Sequence, residues 1–317
     1  MSDRILVGVS TCLLGEKVRW DAGHKHDRYL TDILGRYFEF VPVCPEAEVG
    51  MGIPREPVHL SGDPAAPRMV GNKTGEDWTE RMNRYARRKL RELVPRQLCG
   101  YVLKKGSPSC GMERVPVKTG AAGMPHKVGV GLFAAELLRR LPLLPVEEEG
   151  RLNDPALREN FIVRVFAYHR VQTLFAGGAR RGDIVAFHTR QKFLLLAHSP
   201  RHYKELGRLV AQTKDYTPGE LRERYVQGFM TALRVRATTS KNTNVLQHLL
   251  GYLKDRLGAA EKADILRVIE QYRAGLVPLI VPLTLLYHHL KVQGVEYLLE
   301  QEYLQPAPAE LALRNHV

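Results

Sequence analysis

Cysteine is scarce, with four residues in 317 and no two of them spaced as CxxC. That argues against a disulfide framework, and against structural zinc, which usually draws its four ligands from close pairs. Long apolar runs are missing as well. None approaches the roughly 18 residues of a membrane span, and no leader-like segment precedes the first strand-like run, so a cytoplasmic protein with no membrane partner is expected. Acidic residues are in deficit, 34 Asp+Glu against 47 Lys+Arg, and the net charge of +13 divides as +4 over residues 1–150 and +9 over residues 151–317. A basic surface of this kind attracts polyanions, RNA above all in a cytoplasmic protein, although a merely solvated surface accounts for it equally well.

The few cysteines are placed alike. Ile5 to Ser10 is a strand-like run followed by Thr11 and Cys12; Phe38 to Val43 is another, followed by Cys44, Pro45 and Glu46. Leu98 to Leu103 runs into Lys104-Lys105-Gly106-Ser107-Pro108-Ser109-Cys110-Gly111. If the three strands share a parallel sheet, three thiols converge at its carboxyl edge, where open α/β sheets bind ligands. Cys99, inside the apolar run itself, reads as a buried inert thiol. Three thiolates and a vacancy suit two groups: a catalytic zinc, with Glu46 at hand, or an iron–sulfur cluster with one open iron.

Residues 1–150 alternate between strand and helix signals, which predicts a three-layer, Rossmann-like α/β domain with a mainly parallel sheet. Helices are expected at Asp27–Tyr37, Asp77–Leu93 and Gly131–Leu141, short extended pieces at Val58–Ser61 and Arg68–Gly71, and a last strand at Leu143–Val146. The middle helix leaves Arg81, Arg84, Arg87, Arg88 and Arg91 on its polar face. Pro116 to Val130, rich in glycine, reads as a flexible loop, and the acidic run Glu147-Glu148-Glu149-Gly150 as the domain boundary. Residues 151–317 change character: Pro155, Ser199-Pro200 and Thr217-Pro218 are helix starts, Gly258, Gly275 and Gly294 are stops, and six to eight helices with no strand are expected. Arg234, Arg236, Lys241, Asn242 and His248 gather near one helix start, a reasonable RNA phosphate site that helix capping explains almost as well. Among the histidines, His24, His26 and His126 read as loop residues and His288-His289 as a helix-face pair. Asp21 with Arg19 is either a pocket wall or a loop ion pair.

The segments Ser10-Thr11-Cys12-Leu13-Leu14-Gly15 with Arg19-Trp20-Asp21 and Gly23, Pro42-Val43-Cys44-Pro45-Glu46 with Gly50, and Ser107-Pro108-Ser109-Cys110-Gly111 resemble the thiouracil desulfidase family over nearly all of residues 1–150. The remainder resembles a helical domain fused behind such enzymes, notably in Arg164-Val165-Phe166-Ala167-Tyr168-His169 and Lys241-Asn242-Thr243-Asn244-Val245-Leu246-Gln247-His248, and the fused form resembles tRNA 4-thiouridine desulfidases. The resemblance implies a [4Fe-4S] cluster on Cys12, Cys44 and Cys110 whose fourth iron captures a thiocarbonyl sulfur, with water replacing the sulfur and no external electrons. It makes 4-thiouridine in tRNA the expected substrate, residues 1–150 the catalytic domain and residues 151–317 the RNA-binding one. Glu46 is the expected proton-transfer group, Ser107 the hydroxyl facing the substrate, and Ser109 its reserve. Desulfidation of free thiouracil or a thionucleoside is the alternative within enzymes, and a non-catalytic iron–sulfur protein that binds RNA is the alternative outside them.

Overall fold

The computed structural model describes residues 4–120 and 124–316. Its contacts divide the chain into two compact units, Met1–Asp154 and Pro155–Val317. The first unit is built on a parallel sheet of four strands in the order β2-β1-β5-β8: β1 Ile5–Ser10, β2 Phe38–Val43, β5 Gly100–Leu103 and β8 Val146–Glu148. β1 is buried almost throughout, as a central parallel strand must be, which explains its unbroken apolar run. β2 lies at the edge, where Pro42, lacking an N–H, leaves no ladder bond unmade. Helices α1 (Thr79–Leu93) and α2 (Leu132–Arg140) pack on each other, with Tyr85, Tyr101 and Phe133 in the core between helices and sheet. The arginines on the outer face of α1 are all exposed.

A second sheet, in the order β4-β3-β6-β7, joins β3 (Val58–Ser61) and β4 (Arg68–Gly71) to β6 (Val115–Thr119) and β7 (Met124–Gly129). The span from Pro116 to Val130 is thus largely an antiparallel hairpin, where the glycine content had suggested a loop. The cause is location: β7 is an edge strand exposed along nearly its whole length, so it shows no alternation of burial. Residues 27–37 also depart from expectation, forming one π turn (Tyr29–Ile33) and one 3-10 turn (Leu34–Arg36) in place of a helix.

The acidic run expected at the domain boundary lies just inside the first unit. Glu147 and Glu148 are buried in β8, which ends two residues beyond the expected last strand, and the first unit continues through Asp154, with Glu147 and Glu113 both pairing with Arg151. The second unit holds eight helices among the described residues, α3 (Pro155–Ala176), α4 (Arg181–His198), α5 (Pro200–Ala211), α6 (Pro218–Arg234), α7 (Thr239–Gly251), α8 (Ala259–Arg273), α9 (Ile280–Val292) and α10 (Glu296–Leu299), and no strand. Ser199 caps α5, while Thr217 and Glu220 form a capping box on α6, so two of the sequence start signals act as such. No described helix is long and apolar enough to cross a membrane.

Gly8, in the middle of β1, lies under the ring of Tyr101, and a Cβ there would sit 2.3 Å from ring carbon Cδ2. Gly8→Ala must therefore push the ring out of a packed core, and urea unfolding should read a loss of about 1–3 kcal/mol.

Candidate active site

Parallel pairing sets Ser10 of β1 beside Val43 of β2, and Val9 beside Val102 of β5, so the three strands end almost level. The chain leaves each end into a tight turn. Cys12, Cys44 and Cys110 all line one cavity of about 380 Å³ at this edge, together with Glu46, Ser107 and Ser109. Cys99 stands apart, its N–H donating to the Leu6 carbonyl near the opposite end of β1 (2.8 Å).

The loop carrying Cys110 is fixed from three sides. Met112 N–H donates to Glu148 Oε1 (2.7 Å) on one flank; Lys105 N–H donates to Glu149 Oε2 (2.8 Å) on the other, where Lys104 Nζ also pairs with Glu149 Oε1. Burial raises the Glu148 carboxyl above the usual carboxylate range. The start of α2 closes the third side: Leu132 and Ala134 donate to the carbonyls of Pro108 and Ser109, and Gly131 comes so near that a Cβ would sit 2.5 Å from the Ser109 carbonyl. The orphan amides of a helix start are thereby satisfied by the cysteine loop itself.

Glu46 is the polar centre of the cavity. Its Oε1 accepts from Ser109 Oγ (2.6 Å) and Ser107 Oγ (3.1 Å), and the two hydroxyls stand 2.9 Å apart. Its Oε2 receives the fork of Arg55, Nη2 at 2.7 Å and Nε at 3.2 Å. Ser107 Oγ also accepts from the N–H groups of Ser109 and Cys110, so the turn role and the site role of this hydroxyl coexist. Arg55, which lines the cavity and holds Glu46, is the candidate that sequence reasoning missed. Only 5% of its side chain is exposed, and Nη1 additionally donates to the Val18 and Gly52 carbonyls. Glu48 acts in support, accepting the Cys44 N–H (3.0 Å) and the Tyr85 hydroxyl (2.9 Å).

Burial pushes the free thiols up, Cys12 to about 11 against the pull of Arg19 and Lys104, and Cys44 and Cys110 likewise. A metal group would have to displace these protons. Among the described residues, no three His, Cys, Asp or Glu side chains converge tightly enough to hold a single ion. Three soft donors set around one cavity fit a cluster that spans them better than a mononuclear zinc.

The remaining sequence candidates fall elsewhere or play other parts. Arg19 lines the cavity and pairs with Asp21 at 3.6 Å, while Asp21 Oδ1 accepts the Gly23 N–H and so shapes the turn. His24, His26 and His126 are exposed and do not line the cavity. In the second unit, Asn242 is buried, its amide donating to Tyr272 and accepting from Tyr303, and Lys241 Nζ donates to the His198 and Arg236 carbonyls. Those two residues are committed to internal contacts. Arg234, Arg236 and His248 are exposed.

Arg55→Met leaves the Glu46 carboxylate without its guanidinium in a largely buried place, and denaturant unfolding should show a loss of about 3 kcal/mol. Adding Glu46→Gln to that variant should restore part of the loss, because no unpaired charge remains.

Residues 7–149 match the family model described as 2-thiouracil desulfurase, and residues 192–308 match a protein family of unknown function, DUF1722. The uncharacterized protein YbgA of Escherichia coli (strain K12) is 30% identical over 158 residues, covering 50% of this chain and 94% of that protein. The uncharacterized protein YbbK of Bacillus subtilis (strain 168) is 29% identical over 111 residues, covering 33% of this chain and 73% of that protein. A solved [4Fe-4S]-dependent thiouracil desulfidase, TudS, aligns with a TM-score of 0.40 at 31% identity, covering 48% of this chain and 95% of its own. With its thiols, carboxylate and serines at one sheet edge inside the matched span, the chain belongs through residues 7–149 to the 2-thiouracil desulfurase family, joined to a mostly helical region.

Proposed function

We propose that this protein hydrolyses the thiocarbonyl of 4-thiouridine in tRNA, giving uridine and sulfide, with Cys12, Cys44 and Cys110 holding a [4Fe-4S] cluster that leaves one iron open. The observation that carries the reading is the convergence of these thiols and the Ser107–Glu46–Ser109 network on one cavity. The cluster, when bound, supplies a soft Lewis acid for the sulfur. The chain's own groups supply the rest. Water adds to the ring carbon and sulfide leaves, so C=S and H₂O become C=O and H₂S with no change in electron count.

Glu46 Oε1 is the atom that takes up and returns the proton. Arg55 fixes the other oxygen, so Oε1 is oriented before the substrate arrives, and the Ser107 and Ser109 hydroxyls offer a path for the proton between carboxylate and ring. On the cysteine side Cys12 and Cys110 are buried, which limits their contact with bulk water. The basic second half, with Arg234, Arg236 and His248 at its surface, supports RNA as the carrier of the thiolated base.

Iron and acid-labile sulfide after anaerobic reconstitution should come to about four each per chain. They should be lost in Cys12→Ala, Cys44→Ala and Cys110→Ala and kept in Cys99→Ala; zinc without sulfide would sink the cluster reading. Glu46→Gln should keep the visible spectrum and lower kcat by about 10²–10⁴. On thiolated tRNA, kcat/KM should fall steeply between 50 and 200 mM salt, whereas a flat response would return the substrate to the free base.

A further inference from the structure

The cavity is charged unevenly from floor to rim. Arg55 is paired by Glu46 and Lys104 by Glu149. Lys25 and Lys105 also line the cavity, both are exposed, and among the described residues neither ammonium is in an ion pair with a carboxylate. Trp20 lines the same cavity, 43% exposed although it is one of only two tryptophans in the chain. The backbone that carries this indole is an ordered turn. Arg19 N–H donates to the Gly23 carbonyl and Ala22 N–H to the Arg19 carbonyl, closing the turn, while the Trp20 carbonyl accepts from Arg55 N–H (3.0 Å). The residue that orients Glu46 thus also anchors the rim.

A thiolated ring reacting beside Glu46 and the buried thiols fills the floor, so the rim meets whatever is attached to that ring. An exposed indole on an ordered turn, sharing the cavity lining with two ammonium groups that no carboxylate pairs, suits an unstacked base and its phosphates. We infer that Trp20, Lys25 and Lys105 form a subsite for the nucleotide next to the reacting one, with Trp20 stacking on its base and the lysines on the phosphodiesters. The inference rests on the desulfidase reading for the identity of the reacting base. It makes the preferred substrate a single-stranded stretch of at least two nucleotides, and it makes the subsite a source of discrimination against free thiouracil.

Two measurements test it. In the Trp78→Phe background, where Trp20 is the only indole, titration with a uridine pentanucleotide should quench the emission saturably, and Lys25→Gln with Lys105→Gln should weaken the apparent affinity about tenfold. Separately, Trp20→Leu should lower about tenfold the ratio of kcat/KM for a trinucleotide containing 4-thiouridine to that for the 4-thiouridine nucleoside. Unquenched emission, or an unchanged ratio, overturns the subsite. Failure of the wild-type protein to release sulfide from thiolated tRNA as well as from these 4-thiouridine compounds overturns the proposed function instead, and the quenching titration then decides the subsite alone.

Discussion

The parallel pairing of β1 with β2 on one side and β5 on the other is the constraint from which the site follows. Because the chain runs outward from β1 in both directions, the crevice falls where the strand order reverses, and the near-level register brings three turns to one place. A shift of one strand by one residue would turn alternate side chains to the other face of the sheet and carry its cysteine away from the other two. The tight core beneath, including the contact of Tyr101 with Gly8, therefore maintains the spacing of the thiols as well as the stability of the sheet.

Around that edge, acidic side chains do the positioning. Glu48 ties the Cys44 turn to α1, Glu148 and Glu149 hold the Cys110 loop at both flanks, and Glu46 is held in turn by Arg55. Carboxylates are well suited to this because each accepts several N–H and O–H donors at once and leaves fewer orphaned amides in a half-buried loop. The same arrangement puts negative charge close to the Cys110 thiol, adding to the upward push of burial. Binding of a metal group by the cavity thiols would therefore be coupled to proton release.

What could be read from the sequence was what is local. Each cysteine follows an apolar run directly, so its strand end was visible, and Glu46 is two residues from Cys44. Arg55 was not legible, since its partnership with Glu46 crosses a turn and depends on the chain folding back. The acidic triplet stands just before the division between the units, but its composition did not show that its carboxylates are held, Glu147 by nearby Arg151, Glu148 by the Met112 N–H and Glu149 by Lys104. The β6–β7 hairpin was hidden by its glycines and by an outer strand with no buried face. In the second unit the capping signals marked helix starts correctly, yet nothing in Lys241 or Asn242 announced that a carbonyl pair and two tyrosines would claim them.

Cys99 gives the fold a use beyond its chemistry. It is buried, burial pushes its thiol up to about 12, and it stands near the opposite end of β1 from the three turn cysteines. Alkylating reagents need both access and thiolate, so the intact sheet shields Cys99 on both counts. Its labelling rate, read against that of the turn cysteines, becomes a built-in clock for opening of the central sheet.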